Sequence, residues 1–136
     1  MLANGITLGM KKGSESSYSI LEGLKEVPEL GADPEKVDNT TLSDKNKIYE
    51  LGIGDPGDLA YKFKWENKSA SSSYRKLRAV ADTGETVSFQ ETFPDGTVCE
   101  FDAQCSLKIG GGGVNAAVEY TLNLAIQGSM TMKDPE

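Results

Sequence analysis

Hydrophobic and polar residues alternate with unusual regularity in the last third of the chain. Cys99, Phe101, Ala103, Cys105, Leu107 and Ile109 take the odd positions, and Glu100, Asp102, Gln104, Ser106 and Lys108 the even ones. Beyond the run Gly110-Gly111-Gly112-Gly113, Val114, Ala116, Val118, Tyr120, Leu122, Leu124 and Ile126 interleave with Asn115, Glu119, Thr121, Asn123 and Gln127. A helix, at about 100° per residue, scatters these sets around its circumference, whereas a strand gathers each on one face. The pattern predicts two long strands, over 99–109 and 114–126. At about 3.3 Å per residue the second would reach about 43 Å, more than twice the usual strand. Such reach suggests a job for the sheet itself.

Upstream, Leu59, Tyr61, Phe63 and Trp65 alternate with Lys62, Lys64 and Glu66, which marks 58–66 as a core strand. Serines at 69 and 71–73 offer N-caps for a helix over 71–81. Tyr74, Leu77 and Ala81 follow at i, i+3 and i+7 with Val80 beside them, and Gly84 closes the helix. Val87, Phe89 and Phe93 predict a strand over 85–93, and Pro94-Asp95-Gly96 turns it into the first long strand, giving a final antiparallel meander. The four glycines are more flexible than a tight hairpin requires.

The first half is less regular. Residues 1–17 contain Gly5, Gly9 and Gly13 with a polar end, and show too little apolar periodicity for a core element; they predict an arm ordered by whatever receives it. A weak strand over 18–27 ends at Pro28, 28–34 reads as a turn region, and Val37, Thr40 and Thr41 suggest a short strand over 35–42. Residues 43–57 read as one long loop, and loops of that length inside a compact domain are usually functional. Residues 127–136 form a C-terminal tail. The 136 residues fit one domain, 1–136, with a sizeable core.

Composition removes several functions. The chain has no histidine, so the commonest metal ligand and general base are missing, and zinc hydrolase, Ser-His-Asp and Cys-His mechanisms fall away. A net charge of −7 disfavours a phosphate-binding footprint on nucleic acid. Charge is also segregated: 22–58 holds ten acids against four bases, whereas 62–78 holds six bases and one acid. Cys99 and Cys105 share a strand face about 20 Å apart, beyond disulfide reach, and read as small core residues. No apolar run approaches a membrane span and the first residues lack a secretion signal, so the expectation is a protein made and kept in the cytosol, with no membrane insertion.

Candidate chemistry is thin. The glycine run lacks the Lys-Ser/Thr of a phosphate loop and reads as a flexible hairpin tip. Asp55-Pro56-Gly57-Asp58 lacks calcium-loop spacing and reads as a turn. Asn39-Thr40-Thr41 and Asn67-Lys68-Ser69 match a glycosylation pattern that means nothing without secretion. Glu100, Asp102 and Glu119 could approach one another as hydrolytic carboxylates, but a solvated polar face explains them more simply. Tyr61, Trp65 and Tyr74 could serve a carbohydrate- or protein-binding module, although Tyr61 and Trp65 share the apolar strand face with Leu59 and Phe63.

The order of elements and three local strings carry a resemblance. The strings are Val27-Pro28-Glu29-Leu30-Gly31, then Glu35-Lys36-Val37-Asp38-Asn39-Thr40-Thr41-Leu42-Ser43-Asp44, then Gly52-Ile53-Gly54-Asp55-Pro56-Gly57-Asp58-Leu59 running into the aromatic strand. The chain resembles, over nearly its whole length, the major tail (tail tube) proteins of long-tailed bacteriophages infecting Gram-positive hosts.

That resemblance implies a mainly β fold, an antiparallel β-sandwich or barrel-like domain with one flanking α-helix. It implies hexameric rings stacked into a hollow tube around a tape-measure protein, meeting a tail terminator and a baseplate or distal tail protein, with DNA passing through unbound. It implies a virion component assembled in the host cytoplasm, with no enzymatic activity, cofactor or metal and no appended immunoglobulin-like domain. The arm 1–17 and the loop 43–57 would contact the adjacent ring. Charge segregation fits a head-to-tail contact of unlike patches, for which Arg75, Lys76 and Arg78 against Asp44, Glu50 and Asp55 are the candidates. Glu100, Asp102 and Glu119 are the candidate lumen-facing residues, and an acidic lumen would let DNA slide. The alternative is the small β-sandwich binding module.

Overall fold

The computed structural model describes residues 1–13, 15–31, 33–55 and 57–135. Strands β1 (Thr7–Lys11), β2 (Ser19–Leu21), β3 (Leu24–Glu26), β4 (Asp33–Asp38), β5 (Tyr49–Asp55) and β6 (Asp58–Lys64) precede helix α1 (Ser73–Thr83). Strands β7 (Val87–Thr92), β8 (Val98–Ile109), β9 (Glu119–Ile126) and β10 (Thr131–Lys133) follow. The main sheet is antiparallel and ordered β2-β1-β7-β8-β9-β6-β3, with β10 added to β8. Its two end strands are consecutive in the chain, joined only by Glu22 and Gly23. Leu21 and Leu24 can therefore stand no more than about 11 Å apart, so the sheet curls until its ends meet. Gly23 takes φ 88°, and its carbonyl accepts the Lys64 N–H at 2.7 Å, tying the turn to β6.

Strand alternation delivers one face of this curled sheet to the core. Leu8, Leu59, Tyr61, Phe63, Phe89, Phe101, Tyr120, Leu122 and Leu124 are all buried. Helix α1 supplies Tyr74, Leu77 and Val80 to the same cluster and packs against β8. Ser72 is its N-cap residue, and Gly84 ends it in the left-handed conformation with its N–H on the Val80 carbonyl. Phe63 stacks on Tyr120 with centroids 5.2 Å apart, while Tyr74 meets Tyr120 edge-on at 5.4 Å, which fixes the helix to the β6–β9 end.

Strands 58–66, 85–93 and 99–109 and the helix form where the sequence pattern puts them, apart from a few residues at the ends. Four expectations are corrected. Residues 7–11 are not part of a free arm: β1 lies inside the sheet between β2 and β7, with Leu8 and Met10 buried. The 43–57 loop contains β5, which pairs with β4 as a separate two-stranded hairpin. The second long strand begins at Glu119 and not at 114. Ile109 pairs with Tyr120 and the Gly110 N–H donates to Glu119, so among the described residues 111–117 has no partner strand, and Val114 is fully exposed. The C-terminal tail contributes β10. In addition, the helix stripe runs Tyr74, Leu77, Val80, with Ala81 only half-buried.

Leu122 is fully buried between β6 and β8. Leu122→Ala is expected to lower unfolding free energy by about 2–5 kcal/mol in chemical denaturation, whereas Val114→Ala should stay within about 0.5 kcal/mol.

Candidate functional site

The outward face of the main sheet carries ordered polar rows across several strands. Cross-strand registers place Lys11, Ser88 and Asp102 in one row, and Gln90 beside Glu100 in the next. Toward the other end, Lys108, Thr121 and Lys62 line up, as do Ser106, Asn123 and Ala60. The face is polar but not uniformly acidic. Glu100 Oε1 accepts Gln90 Nε2 at 3.0 Å and Lys133 Nζ at 3.1 Å. Burial alone would raise its pKa, but those two bonds and the charges of Lys133 and Lys11 outweigh it and draw it below the ordinary value. Asp102 Oδ1 accepts the Ser88 hydroxyl at 2.7 Å.

Glu119 accepts the Lys25 ammonium at 2.5 Å, which lowers its pKa. It sits seven residues from Ile126, the β9 residue level with Ala103, hence about 23 Å along the sheet from the Asp102 end. The structure thus joins Glu100 and Asp102 on one stretch and sets Glu119 apart. On its β7 side, β8 is paired only as far as Ala103, so among the described residues the edge from Gln104 to Ile109 has no partner strand.

The charged patches are separate features of the subunit. Arg75 and Arg78 are exposed on α1 and Lys76 half-buried. Arg75 Nε donates to Asn67 Oδ1 at 2.6 Å, and the Arg78 guanidinium lies 5.5 Å over the Tyr74 ring. The acids belong to the hairpin. Asp44 Oδ2 accepts the Thr41 N–H at 2.8 Å and its hydroxyl at 2.9 Å, and Glu50 Oε1 accepts Asn39 Nδ2 at 2.7 Å. The Asp55 side chain lies outside the described residues. No ion pair among the described residues links helix and hairpin.

The hairpin is also apolar. Val37, Leu42, Ile48, Tyr49, Leu51 and Ile53 are exposed, and Tyr49 and Leu51 share one face. At its base lies an open cavity of about 780 Å³, lined chiefly by Val27, Leu30, Ile53, Phe93, Met130 and Met132. Glu91 also lines it, although only 1% exposed. The Tyr61 hydroxyl donates to Glu91 Oε1 at 2.8 Å. Burial pushes the Glu91 carboxyl above its ordinary value, partly offset by that bond; burial and the Glu91 charge drive the Tyr61 phenol far upward, so it remains the donor.

The sequence reading missed this pair, whose signal was a carboxylate at an inward position between Phe89 and Phe93. Trp65 meets Tyr74 with centroids 4.7 Å apart, so both aromatics, like Tyr61, are engaged within the subunit. Among the described residues no cluster of His, Cys, Asp or Glu could hold a metal, and no helix is long and apolar enough to cross a membrane.

Glu91 carries a pH signature. Its raised folded pKa favours the protonated form, so its stabilisation is complete below the ordinary value near 4.5 and is lost as pH rises through the folded value. Glu91→Gln keeps an acceptor for Tyr61 and removes the titration. Thermal melts should show the variant gaining on the parent between pH 4.5 and pH 8; parallel pH profiles would refute this.

The fold recurs in solved tail structures. The chain matches a protein of the virion of a native gene transfer agent particle with TM-score 0.75 and 17% identity, covering 98% of this chain and 99% of that one. A protein from the tail of an empty gene transfer agent particle gives 0.73 and 22%, covering 96% and 98%. The SPP1 tail tube gives 0.68 and 12%, covering 96% and 78%. No curated protein sequence matches. A family model described as phage tail tube, TTP, lambda-like matches residues 1–133; it carries no statement of a Gram-positive host. The chain therefore belongs to the lambda-like phage tail tube family and is a structural subunit of a virion tail.

Proposed function

We propose that this subunit forms hexameric rings that stack into a hollow tube around a tape-measure protein, bounded by a tail terminator and a baseplate or distal tail protein, and that DNA passes through the tube without specific binding. The observation that carries the reading is the main sheet: one face is spent on the core, while the other is an ordered polar surface ending in the unpaired β8 edge from Gln104 to Ile109. Such an edge gains backbone hydrogen bonds by adding a strand from a second copy, and closure of a ring protects every edge from open-ended pairing. The matched empty-particle tail was refined with six-fold symmetry, which supports six copies here.

The polar face fits a lumen wall through Glu100, Asp102 and Glu119, with Lys25 and Lys133 moderating the acidity. Arg75, Lys76 and Arg78 on one copy fit the acids Asp44, Glu50 and Asp55 on the hairpin of another. The residues before β1 and the hairpin serve contacts between rings. The role is structural, and no step of it needs a catalytic group.

Purified protein at high concentration is expected to form rings or tubes in electron micrographs, with six-fold class averages; a protein that stays monomeric at every concentration would contradict the reading. Replacing Arg75, Lys76 and Arg78 together by Glu should leave the melting temperature within a few degrees and abolish polymers, since Arg75 and Arg78 are exposed, Lys76 is half-buried, and charges that water reaches cost little in the monomer. Tubes of normal length from the triple variant would remove these residues from the interface.

A further inference from the structure

The β4–β5 hairpin ends in a turn built to hold an apolar side chain in water. Asp38 Oδ1 accepts the Thr40 N–H at 3.0 Å and the Thr40 hydroxyl at 2.7 Å, and that hydroxyl accepts the Ile48 N–H at 2.8 Å. Asp44 closes the other side through Thr41. Between these two clasps Leu42 is completely exposed. Lys45 and Lys47 follow it, both exposed and without an ion pair among the described residues, whereas the acid Asp44 is spent within the turn. The tip therefore presents one apolar side chain with two free cations beside it.

The other end of the same hairpin borders a surface of the opposite kind. The 780 Å³ cavity is walled by Val27, Leu30, Met130 and Met132, with the Glu91 carboxyl at its inner side. Tyr61 supplies one hydrogen bond to that carboxyl, and among the described residues no cation pairs with it. Burial makes an unpaired carboxylate costly, and an incoming ammonium on an aliphatic stem would relieve that cost.

We infer that the Leu42 tip of one copy docks in the Glu91 cavity of a second copy, with Leu42 against the methionines and Lys45 or Lys47 directed at the carboxyl. The inference rests on the tube reading and specifies where the hairpin lands. Nine steps from Asp33 to Leu42, the first five of them in β4, separate the two surfaces by at most about 30 Å at about 3.3 Å each. Every copy carries one tip and one cavity, so the contact is heterologous and repeats without closing, as subunits along a tube axis must.

The test uses the full chain with Leu42→Cys and Ser129→Cys together, both at exposed positions, Ser129 bordering the cavity. Native thiols interfere little: Cys99 is buried, and burial pushes the Cys105 thiol up to about 12. Oxidised polymers of the double variant should run as a ladder of covalent oligomers on a non-reducing gel, each single variant should give none, and an equimolar mixture of the singles should stop at dimers. Tubes that form without the ladder overturn the inference alone. If the unsubstituted chain yields no polymer, the tube reading falls and the inference with it. Leu42→Asp, with an unchanged melting temperature, should raise the protein concentration needed for polymers at least tenfold; an unchanged threshold contradicts the docking.

Discussion

The structure depends on the two-sidedness of an antiparallel sheet. Because side chains alternate, the strand residues that fill the core fix the identity of the opposite face as well. Phe101 and Ala103 cannot face inward unless Glu100, Asp102 and Gln104 face outward, and the same register commits Thr121, Asn123, Lys62 and Lys64 to the outside. A one-residue slip would bury the charged row, so stability of the monomer enforces the polar surface as well. Closure of the sheet through Glu22 and Gly23 then gives that surface curvature without any contact from a partner.

What the core cannot absorb stays at the surface of the subunit. The hairpin forms its own small sheet, and among the described residues no second sheet covers its exposed apolar residues Tyr49, Leu51 and Ile53. The β8 edge stops pairing at Ala103, and the cavity below β7 stays open beside a buried carboxyl. Each is a modest liability in a lone subunit, through exposed apolar area, unpaired backbone groups or a desolvated acid. In the proposed tube, association would relieve all three at once.

Much of this was legible in the sequence. Strict alternation located β6, β7 and β8, and the Tyr74, Leu77 and Gly84 pattern located α1, because local periodicity and burial agree there. Local signals failed where pairing decides. Gly9 breaks the apolar pattern of β1, yet that strand is held on both sides by β2 and β7, and a Cβ at Gly9 would come within 3.0 Å of Tyr18. Residues 114–117 are apolar at 114 and 116, but among the described residues no strand pairs with them. Strand β5 looked like a loop because Gly52 and Gly54 interrupt it and its side chains lack the buried face that gives a strand its signature. Among the candidate interface and lumen residues, the acidic and basic patches could be read from composition, but the cation partners of Glu100 and Glu119 arrive from β10 and β3, distant in sequence.

The central claim is that the polar sheet face becomes the inner wall of the tube. Ser106→Cys places a thiol in the middle of that face, at an exposed position opposite Asn123. Labelling of the assembled polymer with a small maleimide and with a maleimide carrying a long polyethylene glycol chain tests the claim most directly. The account predicts that both reagents modify the monomer, whereas in the tube the small one reacts and the large one is excluded except near the ends. Full modification by the large reagent along intact tubes would place the face outside and contradict the account.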